Sequence, residues 1–328
     1  MFAILCVMVC LAVLLIVVAG TVLLCGWAAW VVRRFVHLIP LHSLPDVLFF
    51  LRALPYLAAL FLTLGFALPA FLKLEPQASG ETPGPALVGL SAAGALLVAC
   101  IGVRLVRILR RTSRIQQEWL NAGALQSPDG DGIPVYCLSN FSPLLVLTGV
   151  VRPKIFVAKE VVDVLSEAEF SAALAHELAH AGARDNLKRV LLNITQLPGQ
   201  LRWFRQMDAA WIAASEIAAD QAALSAGIPA VELASALVKV ARMGNSSPTM
   251  PVMAASWLVP EEGISTMRLR LLRLDRALTQ DPEPLRFGDE RYTALFRVIL
   301  GFSLITTYIA LLNTVLPWVH EGLEWLVQ

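Results

Sequence analysis

From Phe2 to Val32 the chain carries no charged residue. At 1.5 Å per residue, a helix of that length is long enough to cross the hydrocarbon core of a bilayer, about 30 Å thick. The same density of apolar positions returns three times. A second span is expected at about residues 54–72, with Pro55 and Pro69 near its ends, and a third at about 86–103. The third contains Gly89, Ser91, Ala92, Ala93 and Gly94, small residues that let helix backbones approach closely. A fourth is expected at about 294–316. Between the third and fourth spans the pattern changes. A polar helix is followed by a Pro-, Asp- and Gly-rich loop from Gln126 to Gly132, then by short β-rich runs at Ile133–Cys137, Leu144–Leu147 and Lys154–Ala158, punctuated by Pro143, Gly149 and Pro153. After these the period turns helical. Ser166 and Glu169 form a Ser-x-x-Glu capping box, and Phe170, Leu174 and Leu178 repeat at four-residue steps, which predicts a buried stripe.

Composition agrees with a membrane protein, since 57% of residues are hydrophobic and 16% are charged. Three segments follow: residues 1–104 with three spans, a domain over 105–290, and 291–328 with the fourth span and a short tail. The net charge of +1 conceals a strong asymmetry. Arg33, Arg34 and Arg52 follow the first span, Arg104, Arg107, Arg110, Arg111 and Arg114 follow the third, and Arg286, Arg291 and Arg297 precede the fourth. The positive-inside rule then puts both termini outside and the middle domain in the cytoplasm, at a cytoplasmic (inner) membrane. The first run lacks a basic leader and is followed by arginines, so it is read as a retained anchor. The basic stretch around Trp119 reads as a topology anchor facing anionic lipid, and no direct nucleic-acid binding is expected. None of the five cysteines forms a Cys-x-x-Cys, which leaves them as small packing residues.

The chemistry lies in His176-Glu177-Leu178-Ala179-His180. Two imidazoles four residues apart share one helix face and can grip a single metal ion, with the intervening glutamate placed to take a proton from a bound water. Charged residues interrupt this helix, so it is not itself a span. A catalytic zinc needs a third protein ligand and an open position. A three-histidine extension would need Gly at 183 and His at 186, but the chain has Ala183 and Asn186. Two acidic candidates remain, Asp185 and Glu216. Glu216 and Asp220 are four apart, so one can bind metal while the other orients a ligand histidine. Glu216 is taken as the ligand and Asp220 as the orienter, with Asp185 as an outer-shell or helix-end residue. Glu177 is taken as the general base. One Zn²⁺ per chain is expected. Arg268 is a candidate oxyanion donor or else a structural ion-pair partner. Arg202, Trp203, Phe204, Arg205 and Trp211 suit either a headgroup-facing surface or buried aromatics beside solvated arginines.

These motifs resemble the BlaR/MecR-type antirepressor metallopeptidases, membrane proteins of the gluzincin group. The resemblance is carried by Ser142-Pro143 through Gly149, Arg152-Pro153-Lys154-Ile155, His180 followed by Arg184-Asp185-Asn186, and Trp203-Phe204 followed by Glu216-x-x-x-Asp220. It covers nearly the whole chain and implies a multi-span α-helical membrane protein with a cytoplasmic α+β zincin-like metalloprotease domain. It also implies His176, His180 and Glu216 as zinc ligands and Glu177 as catalytic acid/base. The strand of Lys154, Ile155, Phe156 and Val157 would border the substrate cleft, either with a free edge that pairs with an extended peptide or as a covered core strand. No Ser-x-x-Lys occurs, and the chain ends shortly after the fourth span, so a penicillin-binding sensor is not expected. The partners implied are a protein or peptide substrate, the lipid bilayer, and a separate sensor or repressor protein. Membrane proteases of the HtpX kind share the same metal residues, which leaves quality-control proteolysis as a second reading and a non-catalytic scaffold or signal transducer as a third.

Overall fold

A computed structural model describes residues 2–35, 43–75, 82–127, 132–139, 144–196, 202–243, 255–257, 264–279 and 314–324. The described residues are mostly helical, with a small mixed sheet, and they fold as two compact units. Of the fourth expected span, about 294–316, only 314–316 are described, and these are helical.

The first unit takes in residues 1–32, 51–101 and 285–328. Helix α1 (Phe2–Phe35), the run formed by α2 (Leu44–Leu62) and α3 (Leu68–Leu74), and α4 (Pro85–Ala122) are each long and apolar enough to cross a membrane. The second of these begins at Leu44, ten residues before the start that the apolar pattern suggests. Pro45 and Asp46 sit in its first turn, where a missing N–H is harmless and a carboxylate faces the positive end of the helix dipole. Pro55 lies inside the helix without ending it. Between α2 and α3 the turns widen into a π segment, Thr63–Ala67, directly before Pro69. In a regular helix the Pro69 ring would meet the Gly65 carbonyl, and the wider turn relieves that clash. Leu5, Val9, Ala12, Ala70, Phe71 and Leu87 form the unit's buried cluster. A Cβ at Gly94 would run into the Leu11 carbonyl, so glycine permits the contact between α1 and α4 there.

The second unit takes in residues 33–50 and 102–284. Its sheet is built from β1 (Ala124–Ser127), β2 (Val135–Leu138), β3 (Leu145–Thr148), β4 (Lys154–Ala158) and β5 (Ala255–Trp257), in the order β1-β2-β4-β3-β5. β4 runs parallel to β2, with Ile155 beside Val135, and antiparallel to β3, with Phe156 beside Val146. It therefore has no free edge. Ile155, Phe156 and Val157 are fully buried, so of the two readings of Lys154–Val157 the pairing fits the covered core strand and not the free edge. The apolar run Ile155–Ala158 gains most by being covered on both faces. Trp119 of α4 and Tyr136 of β2 pack on Phe156, with ring centroids 5.2 and 5.4 Å away. Among the described residues, the sheet ends at β1 on one side and at β5 on the other.

The remaining helices of this unit are α5 (Lys159–Val164), α6 (Glu167–Gly182), α7 (Asp185–Ile194), α8 (Arg202–Ser225), α9 (Ala230–Met243) and α10 (Ile264–Thr279). α6 lies among β3, α8 and α9. Its expected stripe is buried in part, with Phe170 and Leu174 packed against the core. Leu178 is 45% exposed, whereas Ala172, Ala173, His176, Glu177 and His180 are buried. The polar stripe turns inward because its partners on α8 and α10 are also polar. On α8, Phe204 and Trp211 are buried and belong to the core, Trp203 is half-buried, and Arg202 and Arg205 are exposed.

The start of α6 is fixed by the full capping box. The Glu169 amide donates to Ser166 Oγ at 3.2 Å, and the Ser166 amide donates to Glu169 Oε2 at 2.7 Å. Lys239 Nζ and the Ser235 hydroxyl, both on α9, also donate to Glu169. Lys239, Ser235 and the Ser166 amide together hold the Glu169 carboxyl down to about 2 from an ordinary 4.5. Because the folded state favours the carboxylate, its stabilisation is complete above about pH 4.5 and is lost as the pH falls toward about 2. The melting temperature of the detergent-solubilised protein should fall across that window, and Glu169→Gln should flatten that acid-side slope.

Candidate metal centre

Four helices converge on one buried cluster. α6 contributes His176, Glu177 and His180, α7 contributes Asp185, α8 contributes Glu216 and Asp220, and α10 contributes Arg270, and all seven are buried. The two imidazoles present their Nε2 atoms to each other at 3.2 Å. Glu216 faces both, with Oε2 3.4 Å from His176 Nε2 and Oε1 3.5 Å from His180 Nε2. One ligand atom from each of His176, His180 and Glu216 falls within a span of 4.8 Å. The Nδ1 atoms point the other way. His176 Nδ1 lies 2.9 Å from Asp220 Oδ1, and His180 Nδ1 lies 2.7 Å from Asp185 Oδ2. A carboxylate accepts, so each Nδ1 donates to the aspartate behind it, and the Nε2 edge of each ring faces Glu216.

Local backbone geometry explains how Asp185 reaches His180. α6 ends at Gly182, and Arg184 then adopts a left-handed conformation, φ 56°, that reverses the chain into α7. This puts Asp185 in the first turn of α7, beneath the helix it has just left. The next residue, Asn186, donates from Nδ2 to the carbonyls of Leu147 at 3.2 Å and Gly149 at 3.1 Å, which ties the turn to the end of β3. Gly149 has φ 96°, and a Cβ there would come within 2.9 Å of the Arg152 carbonyl, so glycine is required on both counts. Lys188 bridges Asp185 at 3.5 Å and Asp46 at 2.7 Å.

The electrostatics follow from burial. Burial pushes the Glu177 carboxyl up to about 7 despite the nearby imidazoles, and neither of its oxygens has a hydrogen-bond partner within the protein. Burial alone would lower His180, but the Glu216 charge and the hydrogen bond to Asp185 prevail and hold it at about 10. His176 is raised too: burial and Arg270 oppose this, and Asp220 and Glu216 outweigh them. Burial would raise Glu216 and Asp220, but the imidazoles and Arg270 hold both down.

The donor set of two nitrogens and one carboxylate oxygen suits zinc. Glu216 Oε1 is buried with no hydrogen-bond partner, as a vacant ligand atom would be. Residues 147–242 match Peptidase family M48. The match supports a zinc metallopeptidase. It spans α6, α7 and α8, and with them His176, Glu177, His180, Asp185, Glu216 and Asp220. No curated protein matches the chain.

Arg270 lies beyond the M48 match, and no motif singles it out. Arg268, the candidate that the sequence suggests, lies on the exposed face of α10. Arg270 is buried and donates from Nε and Nη2 to Asp220, both at 2.7 Å, and from Nη1 to Glu216 Oε2 at 3.0 Å. A signal is present in the sequence, since Met267, Leu274 and Ala277 form the inward stripe of α10 and Arg270 falls on it.

Asn186→Ala removes the donor to two carbonyls in the buried junction between α7 and β3. It should cost about 1–3 kcal/mol in thermal or denaturant unfolding. Asn186→Asp, which can only accept, should not restore the loss.

Proposed function

We propose that the chain is a membrane-anchored zinc endopeptidase in which His176, His180 and Glu216 hold the metal and Glu177 is the general base. The observation that carries this reading is the convergence of both Nε2 atoms on Glu216, with Asp185 and Asp220 behind the rings. When bound, zinc brings the pKa of a coordinated water toward about 7 and polarises a carbonyl. The protein supplies the rest. Asp220 and Asp185 hold the two rings in the tautomer that frees Nε2. Glu177, raised to about 7 and without a partner, is poised to take a proton at neutral pH and return it to the leaving amine nitrogen. Burial lowers the local dielectric, which strengthens the charge interactions in the site relative to water.

The three candidate membrane helices and the arginine asymmetry support an N-terminus outside and a peptidase domain on the cytoplasmic side of the inner membrane, and the fourth expected span, at about 294–316, would return the C-terminus to the outside. The BlaR/MecR-like motifs support a regulatory role, cleavage of a cytoplasmic repressor or signalling protein. The quality-control reading rests on the metal residues that HtpX-type proteases share, and substrate profiling in cells separates the two. One or two clients mark regulation, whereas many misfolded membrane proteins mark quality control.

Purified Glu177→Gln should retain one zinc per chain while kcat falls by about 10²–10⁴. Metal analysis and peptide cleavage, measured side by side, check this. Unchanged turnover in Glu177→Gln would refute the assignment, and a wild-type protein without stoichiometric zinc would point to a non-catalytic scaffold.

A further inference from the structure

The two oxygens of Glu216 have different surroundings. Each lies near one imidazole, Oε2 3.4 Å from His176 Nε2 and Oε1 3.5 Å from His180 Nε2, but Oε2 accepts from Arg270 Nη1 at 3.0 Å while Oε1 has no hydrogen bond. The remaining edge of the Arg270 guanidinium is fully engaged by Asp220, through two bonds of 2.7 Å. A planar fork held at one edge cannot rotate, so Nη1 is fixed on Oε2. Asp220 Oδ1 in turn touches His176 Nδ1. One guanidinium thus locks the orientation of a candidate ligand carboxylate and of the aspartate behind a candidate ligand histidine.

We propose that Arg270 is a positioning residue that restricts Glu216 to ligation through one oxygen. By occupying Oε2 it leaves Oε1 alone for the metal and keeps a coordination position open for water. The inference rests on the zinc-peptidase reading and deepens it. A free carboxylate can chelate a divalent ion with both oxygens, and a charge-assisted hydrogen bond, roughly twice as strong as a neutral one, competes for the second. Lysine could supply the charge, but it lacks the rigid fork that holds Nη1 in place while two other bonds anchor the group.

Cobalt(II) substitution in the full-length, detergent-solubilised protein tests this, because the visible absorption of cobalt reports coordination number independently of activity. The wild type should show the strong bands of a four-coordinate site. Arg270→Lys should still bind one cobalt per chain, but with weaker bands as Glu216 becomes bidentate. Its zinc form should lose about tenfold or more in kcat, with KM changing by less than about threefold. Should Arg270→Lys fail to fold, Arg270→Met combined with Asp220→Asn removes a matched pair of buried opposite charges and carries the same spectral expectation. Unaltered cobalt bands in the variant that folds would overturn the proposal and leave Arg270 as a structural counter-charge. A wild type that takes up neither cobalt nor zinc would instead overturn the underlying reading of the site, so the two failures are distinguishable.

Discussion

Glu177, Asp185, Glu216 and Asp220 are carboxylates buried together in a protein interior, and the second unit can hold them only because each side chain but one meets a compensating group. An isolated buried charge is so costly that it neutralises or forces the fold apart. Here Arg270 neutralises Asp220 and shares Glu216, the His180 ring and Lys188 face Asp185, and the two imidazoles face Glu216. Glu177 is the exception, and its carboxyl responds by moving toward neutrality. The arrangement explains why α6 turns its polar stripe inward and leaves Leu178 outside.

The scaffold is built to satisfy that cluster. A capping box sets where α6 begins, and a left-handed residue sets where α7 begins. Asn186 fastens the junction to β3, which is flanked by β4 and β5. β4 supplies the apolar floor, with Phe156 gripped by Trp119 and Tyr136. Packing on one side and charge pairing on the other leave the site helices little freedom, as a preorganised site requires.

Much of this architecture is legible in the amino-acid sequence. Local signals with strong physics agree with the fold: the capping box at Ser166 and Glu169, the strand at Lys154–Ala158, and the long apolar helices beginning at Phe2 and Pro85. The spacing within His176–His180 and within Glu216–Asp220 puts the right residue types on common helix faces, and the structure brings those faces together. What is not legible depends on long-range pairing. The covering of β4 on both edges depends on β2 and β3, and no local pattern reveals it. Periodicity correctly sets Phe170 and Leu174 of α6 against the core but also favours Leu178, which is exposed, whereas complementary charges on α8 and α10 draw in the histidines. Arg270 is harder to find than Arg268 because an arginine on an apolar stripe ordinarily reads as noise unless its buried partners are known.

The distance along the chain between the components of the cluster has a consequence for synthesis. Arg270 is 94 residues beyond His176. A chain emerging from the ribosome, N-terminus first, displays the two histidines and their glutamate well before α8 and α10 exist to pair with them. During that interval the helix cannot bury its polar face, because the opposing charges have not been made. Assembly of the cluster therefore waits on α10, which supplies its guanidinium. A chain that stops before α10 carries the motif but lacks the guanidinium that pairs with Asp220 and Glu216.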